Sequence, residues 1–120
     1  MVAELRVLVV DDSEDIATSL LAWLKLEGHE GRIALDGKQA LAIARGFGPS
    51  CVLLDISMPG MDGRDVARQL RTTYGAGLVL IAITGWQDPA LRTTGVFADF
   101  DYYLRKPIDL DLLAKILSID

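Results

Sequence analysis

The chain has 120 residues, a length that suits one domain over residues 1–120. Its formal net charge of −5 opposes contact with phosphate backbones, which argues against nucleic acid as a direct partner. No stretch approaches the roughly 20 uninterrupted apolar residues that a membrane span requires, and Glu4 and Arg6 interrupt any signal-peptide pattern, so we expect a cytoplasmic protein without membrane insertion.

The first half of the chain predicts two strand–helix units. Residues 5–10 form a β-branched apolar run that predicts a buried strand, and Ser13 is suited to cap the helix that follows. The apolar positions of this helix recur at helical spacing and predict its buried stripe: Ile16, Leu20, Leu21 and Leu24. Residues 31–35 predict a weaker strand, and Asp36 begins a second helix through a variant of the capping box. Its inward residues are Ala40, Leu41 and Ala44.

The second half predicts three more strands, over residues 51–55, 78–84 and 100–104. Asp62 and Asp109 are suited to cap the third and last helices. The residues expected to face inward on these two helices are Val66, Ala67, Leu70, Leu110, Leu113, Ile116 and Leu117. A fourth helix within residues 85–99 should be short or frayed, because Gly95 and its β-branched neighbours are poor helix formers.

Two residue types that often carry chemistry occur once each. A single cysteine, Cys51, excludes an internal disulfide, and its position at the start of an apolar run predicts a buried side chain without a nucleophilic role. The single histidine, His29, has no cysteine or second histidine nearby to complete a metal site. We interpret His29 as a loop residue.

Five strands that alternate with five helices predict a three-layer α/β domain with a parallel sheet. Four of the strands end in polar residues that can meet at one sheet edge: Asp11, Asp12, Asp55, Thr84 and Lys106. The second strand ends without such residues. If the polar residues converge, strands one and three are neighbours and strand two lies outside, which predicts the strand order 2-1-3-4-5.

The predicted cluster has a definite chemistry. The carboxylates of Asp11, Asp12 and Asp55 repel one another unless a cation lies among them, and an all-oxygen set favours Mg²⁺. A carboxylate such as that of Asp55 can attack phosphorus and form an aspartyl phosphate when the charge on the transferred group is neutralised. The Lys106 ammonium and the Thr84 hydroxyl are suited to that task. Each residue alone has a structural explanation, and only their joint occurrence at four strand ends favours the functional one.

The motifs around these residues resemble the receiver domain of two-component response regulators over essentially the whole chain. They are Asp11-Asp12, Asp55 with Met58-Pro59-Gly60-Met61-Asp62-Gly63, Thr84-Gly85 and Lys106-Pro107. The resemblance implies a flavodoxin-like three-layer sandwich, in which Asp55 takes a phosphoryl group from a phosphohistidine. The donor would be a histidine kinase or a histidine phosphotransfer domain. Such a domain is a phosphorelay signalling module that catalyses only its own phosphorylation and dephosphorylation, so it is not an enzyme in the usual sense.

The resemblance also implies individual roles. The Mg²⁺ ligands would be Asp11, Asp12, Asp55 and the backbone carbonyl of Ser57. Thr84 and Tyr103 would form a switch pair that changes the surface of the predicted fourth helix, the fifth strand and the last helix. The Lys106–Pro107 peptide bond would be cis.

The chain departs from the family pattern at three positions. Ser57 and Trp86 occupy places by which the family tunes dephosphorylation, and Asp99 stands where many members have glycine. Trp86 is expected to lie beside the site and to report Mg²⁺ binding or phosphorylation by fluorescence. The end of the chain, from Lys106 onward, is similar to receivers fused behind a histidine kinase, so we expect the terminal receiver of a hybrid kinase rather than a stand-alone regulator.

Two other classes of protein remain open from the residues. A haloacid-dehalogenase-like Mg²⁺-dependent phosphatase also uses an aspartyl phosphate, but it needs a second acid two residues after the nucleophile, where this chain has Ser57. A flavodoxin-like redox protein with bound flavin mononucleotide needs a phosphate-binding loop after the first strand, where this chain has Asp11 and Asp12.

Overall fold

The computed structural model describes residues 4–58, 63–85 and 99–118. In chain order these form β1 (Arg6–Val10), α1 (Glu14–Leu26), β2 (Glu30–Ala34), α2 (Gly37–Phe47), β3 (Cys51–Asp55), α3 (Gly63–Tyr74), β4 (Val79–Thr84), β5 (Tyr102–Arg105) and α4 (Leu110–Leu117). A short 3-10 turn, Gly75–Gly77, joins α3 to β4. The described part therefore has four α-helices where the sequence predicts five. The helix predicted within residues 85–99 lies almost entirely outside the described residues, as do Trp86 and the predicted cap Asp62.

The five strands form one parallel sheet in the order β2-β1-β3-β4-β5, which confirms the predicted order. All five residues of β3 are buried, because this strand is central and covered on both faces. Two apolar clusters fill the two faces: α1 and α4 pack on one, and α2 and α3 on the other. No helix within the described ranges has both the length and the apolar character needed to cross a bilayer.

The helix caps follow the sequence predictions. The Ser13 side chain accepts a hydrogen bond from the backbone of Ile16, and the Asp109 side chain accepts one from Leu112. At α2, Asp36 Oδ1 accepts from Gln39 N at 2.7 Å, while Gln39 Oε1 accepts from the backbone N–H of Leu35 at 2.9 Å. This reciprocal pair confirms the capping-box variant.

Two residues predicted to face inward are instead exposed. The buried stripe of α1 consists of Ala17, Leu20 and Leu24, whereas Ile16 is 43% exposed. In α4, Leu113 and Leu117 are buried and Leu110 is 39% exposed. Ile16 and Leu110 both lie in the first turn of their helices, beside the carboxyl edge of the sheet, where the strands no longer extend beneath them. The helical spacing correctly placed two inward residues on each helix, but it did not indicate where the sheet ends.

His29 has a structural role that its loop position does not indicate. The side chain is 6% exposed, and its Nδ1 atom accepts a hydrogen bond from Leu5 N at 3.1 Å. The acceptor role requires the neutral imidazole with its proton on Nε2. His29 thus joins the loop before β2 to the start of β1, at the end of the sheet opposite the acidic residues.

Arg71, in the last turn of α3, connects this helix to two strands. Its Nη1 atom donates hydrogen bonds to the carbonyl oxygens of Gly75 and Leu78, at 2.9 and 2.6 Å. Its Nη2 atom donates to the carbonyl oxygen of Asp99 at 2.9 Å and to Asp101 Oδ2 at 2.8 Å. The guanidinium therefore ties the end of α3 to the chain entering β4 and to the chain entering β5.

Replacing Arg71 with Ala should lower the free energy of unfolding by about 2–3 kcal/mol, because two part-buried and two exposed acceptors lose a charged donor together. Urea unfolding followed by circular dichroism measures this difference. Arg68→Ala is the matched control, since Arg68 is 67% exposed and its ion pair within the described ranges is with the exposed Asp65 in the same helix. Equal losses in the two variants would contradict the role given to Arg71.

Cys51 is 2% exposed, as predicted, and burial raises the pKa of its thiol from the ordinary value of 9.0 to about 12. The folded state therefore favours the neutral thiol. The resulting contribution to the free energy of unfolding is complete below pH 9 and is lost as the pH rises toward 12. We expect no alkylation of the native protein at pH 8, and rapid alkylation in urea. Mass spectrometry measures both, and comparable rates in the two conditions would contradict this account.

Candidate functional site

Polar side chains gather at the carboxyl edge of the sheet because parallel strands all end there. Asp11 follows β1, Asp55 is the last residue of β3, and Thr84 is the last residue of β4. These three side chains are buried, at 4%, 2% and 3% exposure, although each is polar. Lys106 follows β5 and completes the edge. Buried polar groups at one edge indicate a site rather than a core.

Three carboxylates lie close together at this edge. Asp11, Asp12 and Asp55 each offer one oxygen, and these atoms lie within 4.8 Å of one another. Asp11 and Asp55 are buried and Asp12 is exposed. A set of closely spaced carboxylate oxygens with one open side fits a hard divalent cation that keeps some of its water ligands. Three of the four residues predicted to hold Mg²⁺, all but Ser57, are thus brought together by their carboxylates.

Asp55 is held by hydrogen bonds on both of its oxygens. Oδ1 accepts from the backbone N–H of Ser57 at 2.8 Å and from the Ser57 hydroxyl at 2.6 Å. Oδ2 accepts from Lys106 Nζ at 2.7 Å. The same ammonium lies 3.4 Å from Asp11 Oδ2. Lys106 therefore bridges two of the three carboxylates.

The electrostatics of the cluster favour a charged lysine. Burial raises the pKa of Asp11, and the nearby charge of Asp55 adds to this effect, while the backbone N–H of Ser13 and the ammonium of Lys106 oppose it. For Lys106, burial acts to lower the pKa, but the hydrogen bond to Asp55 and the charges of Asp55 and Asp11 outweigh it and raise the pKa. Lys106 consequently remains a cation among the carboxylates at neutral pH.

Thr84 and Tyr103 lie on the two neighbouring strands β4 and β5. The register pairs Thr84 with Arg105 and Ala82 with Tyr103. Because residues two apart on a strand share a face, Tyr103 lies on the same face of the sheet as Thr84. Tyr103 is 39% exposed and Thr84 is buried. The two side chains of the predicted switch pair thus lie at successive positions along one face.

Gly63, the first residue of α3, lies close against Ile56, the residue after β3. A Cβ atom on Gly63 would lie 2.7 Å from Cγ2 of Ile56 and 3.2 Å from its Cα, so the first residue of α3 must be glycine to approach this closely. The Lys106–Pro107 peptide bond is cis, which confirms the prediction.

A groove with a volume of about 720 Å³ opens beside Lys106, between α1 and the segment that leads into α4. Its apolar lining comes from Ile16, Leu20, Trp23, Ile108 and Leu110. The two exposed apolar residues that the helical pattern placed inward, Ile16 and Leu110, therefore belong to this groove. The groove forms between elements that are distant in the chain, so no local sequence pattern indicates it.

The Ser57 hydroxyl was also missed as a part of the site. The resemblance to the family implies that the Ser57 carbonyl binds Mg²⁺ and that position 57 tunes dephosphorylation, but it implies no contact for the Ser57 hydroxyl. A serine two residues after an aspartate at a turn can donate hydrogen bonds from its N–H and its hydroxyl to that carboxylate. This spacing is the feature of the sequence that could have indicated the contact.

Comparisons with known proteins agree with this geometry. The response regulator MprA of Mycolicibacterium vanbaalenii is 38% identical over 115 residues, which cover 95% of this chain and 49% of the relative. The chain thus spans about half the length of the curated relatives it matches.

Among solved structures, a CheY-like receiver domain protein from Methanospirillum hungatei has a TM-score of 0.83 at 30% identity, with 95% of this chain and 91% of that chain covered. The response regulator TrrA of Thermotoga maritima, solved in complex with Mg²⁺–BeF, has a TM-score of 0.82 at 31% identity, with 93% and 95% covered. The family model of the response regulator receiver domain matches residues 7–118. Fold, site and relatives agree, and the chain belongs to the response regulator receiver domain family.

Proposed function

We propose that Asp55 takes the phosphoryl group in this receiver domain, in a Mg²⁺-dependent reaction with a phosphohistidine. The observation that carries the proposal is the position of the Asp55 carboxylate, which is buried at the end of the central strand and contacts the Lys106 ammonium at 2.7 Å. A carboxylate held beside a cation at a sheet edge is arranged for attack on phosphorus. Asp11 and Asp12 lie within reach of the same centre.

The reaction forms one bond and breaks one. A carboxylate oxygen of Asp55 bonds to phosphorus as the P–N bond of the phosphohistidine breaks, and the electron pair of that bond stays on the imidazole nitrogen. Lys106 holds positive charge next to the oxygens of the transferred group, and the Thr84 hydroxyl is suited to donate a hydrogen bond to it. Asp11, Asp12, Asp55 and the Ser57 carbonyl would hold Mg²⁺, which when bound neutralises charge on the phosphoryl oxygens.

Phosphorylation then changes a surface. The Thr84 hydroxyl moves toward the phosphoryl group, and Tyr103, on the same face of the sheet, turns into the space that is released. The partner that delivers the phosphoryl group is a histidine kinase or a histidine phosphotransfer domain, acting in the cytoplasm. The groove is lined in part by Lys106, which contacts Asp55, and it offers this partner an apolar surface. The domain catalyses only its own phosphorylation and dephosphorylation.

The two alternative classes are not favoured. A phosphatase would need a general acid at position 57, where the Ser57 hydroxyl instead donates to Asp55. A flavodoxin would need a phosphate-binding loop after β1, where Asp11 and Asp12 repel phosphate. Purified protein should be colourless and should not turn over phosphate esters.

Intact-mass spectrometry after incubation with acetyl phosphate tests the proposal. We expect a single phosphoryl adduct that forms with Mg²⁺, does not form with excess chelator, and is lost at alkaline pH, as acyl phosphates are. Absence of an adduct at saturating Mg²⁺, or an adduct stable to alkali, would contradict the proposal.

A further inference from the structure

The groove beside Lys106 has two walls that come from distant parts of the chain. One wall is a single face of α1, because residues 15, 16, 19, 20 and 23 recur at helical spacing. The other wall is the segment that contains Pro107, Ile108 and Leu110. The volume of about 720 Å³ lies within the range of about 300–1,000 Å³ that is typical of sites for small molecules. A largely apolar cleft of this size fits one organic molecule.

Two charged side chains of the described ranges line the groove, and they differ in what they offer a ligand. The Lys106 ammonium lies 2.7 Å from Asp55 Oδ2 and 3.4 Å from Asp11 Oδ2, so two carboxylates already offset its charge. Asp15 is exposed and forms no ion pair among the residues that the structure describes. Within this part of the chain, the groove therefore offers a ligand one carboxylate without a counter-ion.

The charged residue and the aromatic residue of the α1 wall lie far apart. Asp15 and Trp23 are separated by eight residues of one helix, which places them about 12 Å apart along its axis. Ile16 and Leu20 supply apolar surface to the same wall. The Trp23 indole is the largest apolar group of the lining, and indoles pack well against other rings. The wall thus suits an elongated ligand with a charge at one end and an apolar group at the other.

We infer that the groove binds a small organic cation, whose ammonium group pairs with Asp15 and whose aromatic or aliphatic body extends toward Trp23. The Asp15 end of the groove is negative, because the three carboxylates of the neighbouring cluster exceed the single positive charge of Lys106. The same charges oppose the binding of an organic anion. This binding does not depend on the phosphoryl transfer proposed above, although a bound ligand would cover the surface offered to the phosphohistidine partner.

Three probes with one body and different end groups test the inference: 4-phenylbutylamine, 4-phenylbutan-1-ol and 4-phenylbutyrate. At pH 7 the first is a cation, the second is neutral and the third is an anion. NMR titration of the ¹⁵N-labelled protein, without added Mg²⁺, follows the backbone amides of α1, Ile108 and Leu110 and the indole N–H of Trp23. We expect saturable shifts at these positions, with a Kd of about 1 mM for the amine, the scale for so small a ligand. The alcohol should bind severalfold more weakly than the amine, and the acid at least about tenfold more weakly.

Two substitutions separate the charged contact from the apolar one. Asp15→Asn keeps the size of the side chain and removes its charge, so it should lower the affinity for the amine to that for the alcohol. Leu110→Ala removes apolar surface from the other wall and should weaken the binding of all three probes severalfold. This variant should keep the fold, because Leu110 is 39% exposed. Leu26→Ala is the matched control and should change no affinity, since Leu26 is 85% exposed at the end of α1 and does not line the groove.

Four results would overturn the inference. They are binding of the acid as tight as that of the amine, a preference for the amine that persists in Asp15→Asn, shifts confined to residues outside the two walls, and an amine titration that does not saturate. Shifts of the same amides on raising the protein concentration, without any probe, would also overturn it and would assign the groove to a second copy of the chain. The adduct assay with acetyl phosphate is separate from these titrations, so failure of one is distinguishable from failure of the other.

Discussion

Replacing Asp55 with Asn is expected to abolish the labile phosphoryl adduct. The amide has nearly the shape of the carboxylate but lacks its negative charge, so it neither attacks phosphorus nor holds a cation well. The expected loss is at least about a thousandfold in the rate constant, which places the adduct below detection by intact mass. The variant should still fold, because removing one of three neighbouring carboxylates also relieves repulsion.

Asp12→Asn is the informative control for this variant. Asp12 belongs to the same cluster but is exposed and has no contact with Lys106 among the ion pairs described. It should weaken Mg²⁺ binding and still form the adduct when Mg²⁺ is raised. A persistent adduct in Asp55→Asn, or its loss at all Mg²⁺ concentrations in Asp12→Asn, would contradict the assignment.

Replacing Lys106 with Met should have two effects. Phosphorylation should slow by about a hundredfold or more, because a charge beside the transferred group is lost. The metal-free protein should also lose about 1–3 kcal/mol of stability, because Asp11 and Asp55 lose their shared counter-ion. This loss is smaller than for a fully buried ion pair, because Lys106 is 27% exposed and solvent screens its charge. Mg²⁺ should recover much of this loss, so it should raise the melting temperature more in Lys106→Met than in wild type.

Thermal unfolding with and without Mg²⁺ measures the second effect. Lys115→Met, an exposed lysine in the last turn of α4, controls for the general loss of one positive charge. Equal Mg²⁺ responses in Lys106→Met and wild type would mean that Lys106 does not neutralise the carboxylates.

The fold was predictable from the sequence to the level of strand order. Apolar runs ended by Asp11, Asp55 and Thr84 identified strands, and the convergence of these residues required β1 and β3 to be neighbours. Helical spacing identified the buried stripes but not the limits of the sheet beneath them. Ile16 and Leu110 were therefore predicted to face inward, although they line an open groove.

The candidate site was predictable in its ionic residues and in Thr84, which ends an apolar run, but not in the Ser57 hydroxyl. Charged residues at the ends of buried strands can be recognised in the sequence as candidates for a site, because a buried charge needs a partner. The Ser57 hydroxyl and, at the opposite end of the sheet, the His29 imidazole form hydrogen bonds that depend on local backbone geometry. Neither a serine in a turn nor a histidine in a loop indicates by itself which atom it will contact.

Locating the phosphoryl group within the chain tests the central claim most directly. Wild type is phosphorylated with acetyl phosphate and Mg²⁺ and then treated with borohydride, which reduces an aspartyl phosphate to homoserine and leaves free carboxylates unchanged. Peptide mass spectrometry then identifies the residue that has been converted to homoserine. The account predicts homoserine at position 55 and at no other aspartate, and homoserine at position 11 or 12, or at none, would contradict it.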